Sequence, residues 1–210
     1  MNTPRQQPLQ QFLDTLASSA PTPGGGGAAA LMGATGAALL SMVANVSIGK
    51  KGLEPIEGEL REVLSQSEAL RGQLTAMVED DVAAFDALMA TYRLPKDTDA
   101  QKAARAAAIQ VALRLATEAP MACARAAAAV VRLAQRAAAI GYKQVISDAG
   151  VGVLAAQAAL RSAALNVYIN APSLKDEVYS KEVVQELEAL LAECGQVSEA
   201  VYALVKSRLG

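Results

Sequence analysis

The sequence predicts an all-α protein, an up-and-down bundle of about five long helices plus a short N-terminal helix. Three observations carry that expectation. Roughly one residue in five of the 210 is alanine, the best helix former and a poor strand residue. Apolar residues recur at helical spacing over long stretches, as in Leu60, Val63, Leu64, Leu70, Leu74, Met77, Val78, Phe85, Leu88 and Met89. Prolines and glycines cluster between those stretches, where a bundle turns back on itself. There is no alternating strand pattern and no internal repeat, so residues 1–210 read as one domain.

The elements follow in order. A short helix spans about Pro8 to Ser18, with Leu9, Phe12, Leu13 and Leu16 on one face. Pro21 and Pro23 break it, since neither fits a helix interior. Gly24 to Gly27 leads into a second helix from Ala28 to about Ile48, and Gly49-Lys50-Lys51-Gly52 supplies a glycine stop with two cations. Pro55 opens a third helix, about Ile56 to Arg93, roughly 55 Å long. After Leu94-Pro95-Lys96-Asp97, a fourth runs from about Thr98 to Ile140, with a bend expected at Pro120. Gly141 to Ile146 reads as a loop. Ser147-Asp148 reads as an N-cap pair for a fifth helix, Ala149 to about Asn170. Pro172 stops it, and Ser173-Leu-Lys-Asp176 has the spacing of a capping box for the last helix, to about Ser207. Helices two and five, rich in small residues and nearly uncharged, are expected at the centre.

Composition excludes several chemistries. With no His, the usual zinc site, the usual neutral-pH base and every Ser-His-Asp arrangement are absent. Two Cys form neither a metal cage nor a disulfide framework, and suit a reducing, cytoplasmic compartment. A net charge of −2 carries no nucleic-acid signature. The polar start, Met1 to Gln11, lacks a signal-peptide layout. The 26 residues Gly24 to Gly49 carry no charge and are long enough to span a bilayer. Their small and polar residues, with no aromatic belt, favour a helix buried on all sides of a soluble bundle over a membrane span.

Two polar regions remain. One stripe of helix five carries Asp148 at its start and Asn166 and Asn170 near its end. Asp148 and Asn166 are roughly 27 Å apart, too far to serve one reacting group. Antiparallel packing of helices two and five places Asn45, Lys50 and Lys51 level with Asp148. It places Gly25, Gly26 and Gly27 level with Asn166, Asn170 and the acids Glu79, Asp80 and Asp81 of helix three. Each feature also has a purely structural reading. The glycines permit close packing, the lysines neutralise a helix end, Asp148 caps a helix, and the acids form a solvated run. A buried amide needs a partner in either case, and the glycines can present bare N–H groups to an anion or polar ring. No phosphate-loop pattern is present. Arg161 could pair with an acid or contact a ligand.

Longer stretches carry a resemblance. They are Phe12-Leu13-Asp14, then Ala20-Pro21-Thr22-Pro23-Gly24-Gly25-Gly26-Gly27-Ala28, Gly36-Ala37-Ala38-Leu39 and Met42-Val43-Ala44-Asn45. Further on come Asp81-Val-Ala-Ala-Phe85-Asp86, Tyr92-Arg93-Leu94-Pro95-Lys96, Ser147-Asp148-Ala149-Gly150-Val151 and Ala164-Leu165-Asn166-Val167-Tyr168-Ile169-Asn170. Through these the chain resembles the formiminotransferase-cyclodeaminase C-terminal domain family over nearly its whole length. Gly27 and the run Arg161 to Tyr168 resemble the family's stand-alone cyclohydrolase branch.

The resemblance implies an all-α, cytoplasmic homodimer that binds a reduced folate, a tetrahydrofolate derivative as substrate, with no metal, nucleic acid or membrane partner. The implied reaction is hydrolysis of 5,10-methenyltetrahydrofolate to 10-formyltetrahydrofolate. The alternatives are expulsion of ammonia from 5-formiminotetrahydrofolate, or a non-catalytic folate-binding or assembly role. The absence of a formiminotransferase part from this sequence tilts the expectation towards the cyclohydrolase. Asp148 or Asp81 would act on water, with Asp148 favoured, and Lys50 or Lys51 would stabilise charge or hold the glutamate tail. Asn45, Asn166 and Asn170 would bond the pterin or tail, and Gly25, Gly26 and Gly27 would supply backbone donors. The chain departs from the family at Gly141-Tyr142-Lys143-Gln144 and at Gly52, where others often carry Asn-containing and Lys positions.

Overall fold

A computed structural model describes residues 7–209; the polar start before residue 7 lies outside them. Six helices form, α1 (Leu9–Leu16), α2 (Gly25–Ser47), α3 (Glu57–Tyr92), α4 (Asp99–Ile140), α5 (Ile146–Asn170) and α6 (Glu177–Leu209), and the described residues contain no strand. The up-and-down bundle expected from the sequence is the observed one.

Several boundaries differ from expectation for local reasons. Helix α2 begins inside the glycine run, at Gly25, because an acid from a neighbouring helix supplies its cap (below). Helix α5 begins at Ile146 with no side-chain cap, so Ser147 and Asp148 lie in its first turn and are not an N-cap pair. Asp176, not Ser173, caps α6: its Oδ1 accepts from the Tyr179 N–H at 3.0 Å. Thr98 caps α4 through a reciprocal box, accepting from Gln101 N–H at 3.2 Å while Gln101 Oε1 accepts from Thr98 N–H at 3.1 Å. Gly49 and Gly52, at φ +75° and +90°, make the turn after α2 that other residues disfavour.

Helices α2 and α5 pack antiparallel and very closely. A Cβ on Gly36 would stand 2.8 Å from the Gly152 carbonyl oxygen, and one on Gly152 would stand 3.2 Å from that of Gly36. The buried hydroxyls of α2 are satisfied by neighbouring elements. Ser41 and Ser67 share a buried hydroxyl pair at 2.8 Å, and Ser47 Oγ accepts from the Tyr142 N–H at 2.8 Å.

Helices α2 and α5 form the most heavily packed pair, as expected of the centre, and α4 shares that position. Helix α4 touches α2, α3, α5 and α6, and most of its Pro120–Ala138 segment is buried. Three arginines on α4 fix a parallel register with α6: Arg114–Asp176 at 3.1 Å, Arg125–Glu186 at 2.6 Å and Arg132–Glu193 at 2.6 Å. These pairs are about half exposed, so each is worth under about 1 kcal/mol and its role is alignment.

Yet α2 is not buried on all sides. Leu31, Met32, Leu39 and Met42 reach an outer face shared with Val151, Leu154, Leu165 and Ile169 of α5. Gly25–Ser47 and Lys143–Ser173 are each long and apolar enough to cross a membrane by length and composition, and 61% and 50% of the respective windows are buried in the fold.

Candidate active site

The glycine-rich start of α2 leaves its first N–H groups without intrahelical acceptors. Gly24 at the cap position has no side chain to help. Asp81, arriving from α3, fills the gap: the Gly27 N–H donates to Asp81 Oδ2 at 2.9 Å. The carboxylate comes so close that a Cβ on Gly26 would sit 1.9 Å from Asp81 Oδ1. Gly26 is therefore glycine for room. Burial pushes the Asp81 carboxyl above the ordinary aspartate range, and the Gly27 hydrogen bond opposes that push. Burial, with the nearby Asp81 charge adding to it, pushes the Cys123 thiol up to about 12.

Two adjoining cavities meet at Asp81, Phe85 and Asn166. One, of about 220 Å³, is bounded by Pro21, Thr22 and Gly24 to Gly26. The other, of about 390 Å³, is walled by Leu88, Met89, Tyr92, Leu113 and Pro120, with Asn170 and Ser173 at its edge. A flat ring with one or two polar edges fits such a slot.

The two amides have structural duties. Asn166 Nδ2 donates to the Ser162 carbonyl at 3.1 Å. Asn170 Nδ2 donates to the Ala116 carbonyl on α4 at 2.7 Å. Ala116 lies four residues before Pro120, which has no N–H to give it. Asn170 thus supplies the donor that Pro120 lacks, and α4 continues through the proline as one helix.

Within one chain the structure brings together Asp81, Gly25, Gly26, Gly27, Asn166 and Asn170. It does not bring Asp148, Asn45, Lys50 or Lys51 to them. Gly27 and Lys50 are separated by roughly 35 Å along α2. Lys50 lies over the Tyr142 ring, 5.3 Å from its centroid. Lys51 borders a separate cavity of about 590 Å³ with Lys143 and Arg208. Asp148 is half-buried in the first turn of α5, and Asn45 is exposed on α2. Phe85 and Tyr92 line the larger cavity and were not among the expected site residues, although they follow Asp81 at helical spacing on one face of α3 in a chain with only 3% aromatics. Among the described residues no cluster of three or more Cys, Asp or Glu is placed to hold a metal.

The fold and site define a helical bundle with a half-buried carboxylate, Asp81, at the junction of two cavities. The comparisons with known proteins make this specific. The formiminotransferase-cyclodeaminase family profile matches residues 8–189, and the chain belongs to that family. It is 58% identical to a methenyltetrahydrofolate cyclohydrolase of Methylorubrum extorquens, over 96% of this chain and 97% of that one. It is 34% identical to a formimidoyltransferase-cyclodeaminase of Sus scrofa over 97% of its own length, but spans only 37% of that larger protein. The fold matches the crystal structure of a formiminotetrahydrofolate cyclodeaminase from Thermotoga maritima with a TM-score of 0.87 and 28% identity, covering 98% of each chain.

Proposed function

We propose that this chain is a methenyltetrahydrofolate cyclohydrolase, adding water to 5,10-methenyltetrahydrofolate to give 10-formyltetrahydrofolate. The observation that carries the reading is the 58% identity with a cyclohydrolase along almost the whole of both chains. The site supports it. The methenyl bridge is a cationic amidinium carbon, and a carboxylate in a partly desolvated slot attracts that cation and can accept a proton from water.

We infer that Asp81, rather than the Asp148 favoured by the sequence, is the base. Asp81 stands at the junction of both cavities. Water oxygen bonds to the bridging carbon while one water proton passes to Asp81. The carbinol hydroxyl proton then moves to N5 as the C–N5 bond breaks, leaving a formyl group on N10 and one net proton released. N–H groups of Gly25 and Gly26 face the developing oxygen, in the manner of a helix-terminus anion site. Asn166 and Asn170 border the ring. The chain acts as a cytoplasmic homodimer with folate as its small-molecule partner and no metal.

The test follows the ultraviolet absorbance of methenyltetrahydrofolate. Enzyme should accelerate its loss well above the spontaneous rate; no acceleration would defeat the reading. The Thermotoga likeness favours a second reading, cyclodeamination. Ammonia release from 5-formiminotetrahydrofolate, without hydrolysis of the methenyl compound, would establish it.

A further inference from the structure

We propose that Gln110 is a positioning residue of the active site: it fixes the connection between α5 and α6 so that the larger cavity grips the aminobenzoyl arm of the folate. This deepens the cyclohydrolase reading and rests on it.

The reacting carbon of methenyltetrahydrofolate bridges N5 of the pteridine and N10 of the aminobenzoyl arm. A substrate that reacts at Asp81, where the two cavities meet, therefore extends into both. The pteridine is rich in hydrogen-bonding groups, and the smaller cavity offers it Thr22, Asn166 and the backbone around Gly24. The aminobenzoyl ring is largely apolar, and the larger cavity offers it Phe85, Leu88, Met89 and Leu113.

The wall of the larger cavity rests on a small apolar cluster set apart from the main core. Leu88, Leu113 and Ala116 line the cavity and pack in that cluster with Ala112 and Leu174. Leu174 is its member from the α5–α6 connection, buried between the exposed Ser173 and Lys175. Its backbone is extended, at φ −73° and ψ 133°. In such a stretch the carbonyl before a residue and the N–H after it turn to one side. Gln110 of α4 meets both. Its Nε2 donates to the Ser173 carbonyl at 3.2 Å, and its Oε1 accepts from the Lys175 N–H at 2.7 Å. One side-chain amide does for Leu174 what a neighbouring strand would do.

Gln110 stands three residues before Leu113, one turn further along the same side of α4. It acts on the cavity through Leu174, Leu88 and Leu113. Other ties anchor the two ends of the connection: Asn170 to the Ala116 carbonyl at 2.7 Å, and Asp176 to Arg114 at 3.1 Å. The middle is left to Gln110. Without its amide, Leu174 loses its bracket and the Leu88–Leu113 wall loses its backing. Asp81 keeps its place, because the Gly27 N–H holds it at the other end of the site. The loss should therefore appear in substrate binding and not in the chemical step.

The experiment separates the two. Q110M keeps the length and helix propensity of the side chain and removes both hydrogen bonds. Its KM for methenyltetrahydrofolate should rise about 10-fold with kcat within about twofold of wild type. Competitive inhibition by p-aminobenzoylglutamate should weaken by the same factor, and inhibition by tetrahydropterin should not change. Q110E, which retains the acceptor for the Lys175 N–H and loses the donor to Ser173, should give an intermediate KM and carries the test if Q110M does not fold. A wild-type KM in both variants, a fall in kcat alone, or equal weakening of both fragments would overturn the proposal. If wild-type protein hydrolysed no methenyltetrahydrofolate, the functional reading would fail, and calorimetric binding of p-aminobenzoylglutamate to wild type and Q110M would still judge the clamp: equal affinities, or no binding to either, would overturn it.

Discussion

Gly26→Ala isolates the demand that the site makes on the backbone. Two effects oppose each other. Ala is favoured over Gly in a helix by about 1 kcal/mol, so the variant should gain stability if nothing stood nearby. Something does: the new Cβ would lie 1.9 Å from Asp81 Oδ1 and 2.5 Å from its Cγ, so the carboxylate must leave. Its departure forfeits the 2.9 Å bond from Gly27, a charge-assisted bond worth about 1.5–3 kcal/mol, and overpacking adds about 1–3 kcal/mol. The steric and hydrogen-bond losses win, and urea unfolding should report a net destabilisation of roughly 2–4 kcal/mol. A misplacement of about 1 Å at a catalytic group also costs on the order of 100-fold in rate. Gly25→Ala is the control, because its Cβ would meet nothing nearer than Asn166 Nδ2 at 3.9 Å; its stability should be unchanged or slightly raised. The reasoning is refuted if Gly26→Ala unfolds at wild-type urea concentration with wild-type turnover.

Four other outcomes can be checked on the same protein. Asp81→Asn keeps an oxygen for the Gly27 N–H but removes the base, so hydrolysis should fall by at least about 100-fold. Because burial raises the Asp81 pKa in the folded state, its stabilising contribution is present below the ordinary aspartate value and is lost as pH rises through the raised one. The variant should therefore gain stability relative to wild type on moving from acid to neutral pH, and a parallel pair of stability–pH curves would count against the raised value. Asn170→Leu strands the Ala116 carbonyl and should cost about 1–3 kcal/mol. Adding Pro120→Ala restores a backbone N–H, so a double-mutant cycle should show clear coupling; additive losses would refute the link between the two residues. Gly36→Ala drives a Cβ to 2.8 Å from the Gly152 carbonyl oxygen and should lower the thermal midpoint by several degrees, whereas Gly72→Ala, with open space around it, should not.

Helix existence and order were legible because alanine content, apolar spacing and proline–glycine breaks all act locally. What was not legible depended on contacts between distant residues. The start of α2 lay hidden because its cap is Asp81, 54 positions away. The start of α5 was misread because Ser147 and Asp148 have cap-forming side chains, yet the chain enters the helix at Ile146 through a 3₁₀ turn, Lys143–Val145. The share that α4 takes in the centre was obscured by its arginines. Their guanidinium groups reach outward to Glu186 and Glu193 while the alanines between them pack inward. For the site, antiparallel pairing of α2 and α5 was enough to group Asp81 with the glycines and Asn166. Asp148, at the other end of α5, lines neither of the cavities that meet at Asp81.

The composition of α2 answers three separate requirements along one helix. At its start, glycine admits a carboxylate against bare N–H groups, and any side chain at Gly26 would expel it. In its middle, Gly33 and Gly36 admit Leu74 and the α5 backbone at van der Waals distance. Along its outer edge, uncharged residues leave an apolar face. A membrane span would meet only the last of these. The first two need partners at fixed positions on α3 and α5, and Asp81, Leu74 and Gly152 occupy those positions. The low charge of α2 is thus a consequence of what must approach it, and substitutions at its start and in its middle should fail in two distinguishable ways: lost catalysis and lost stability.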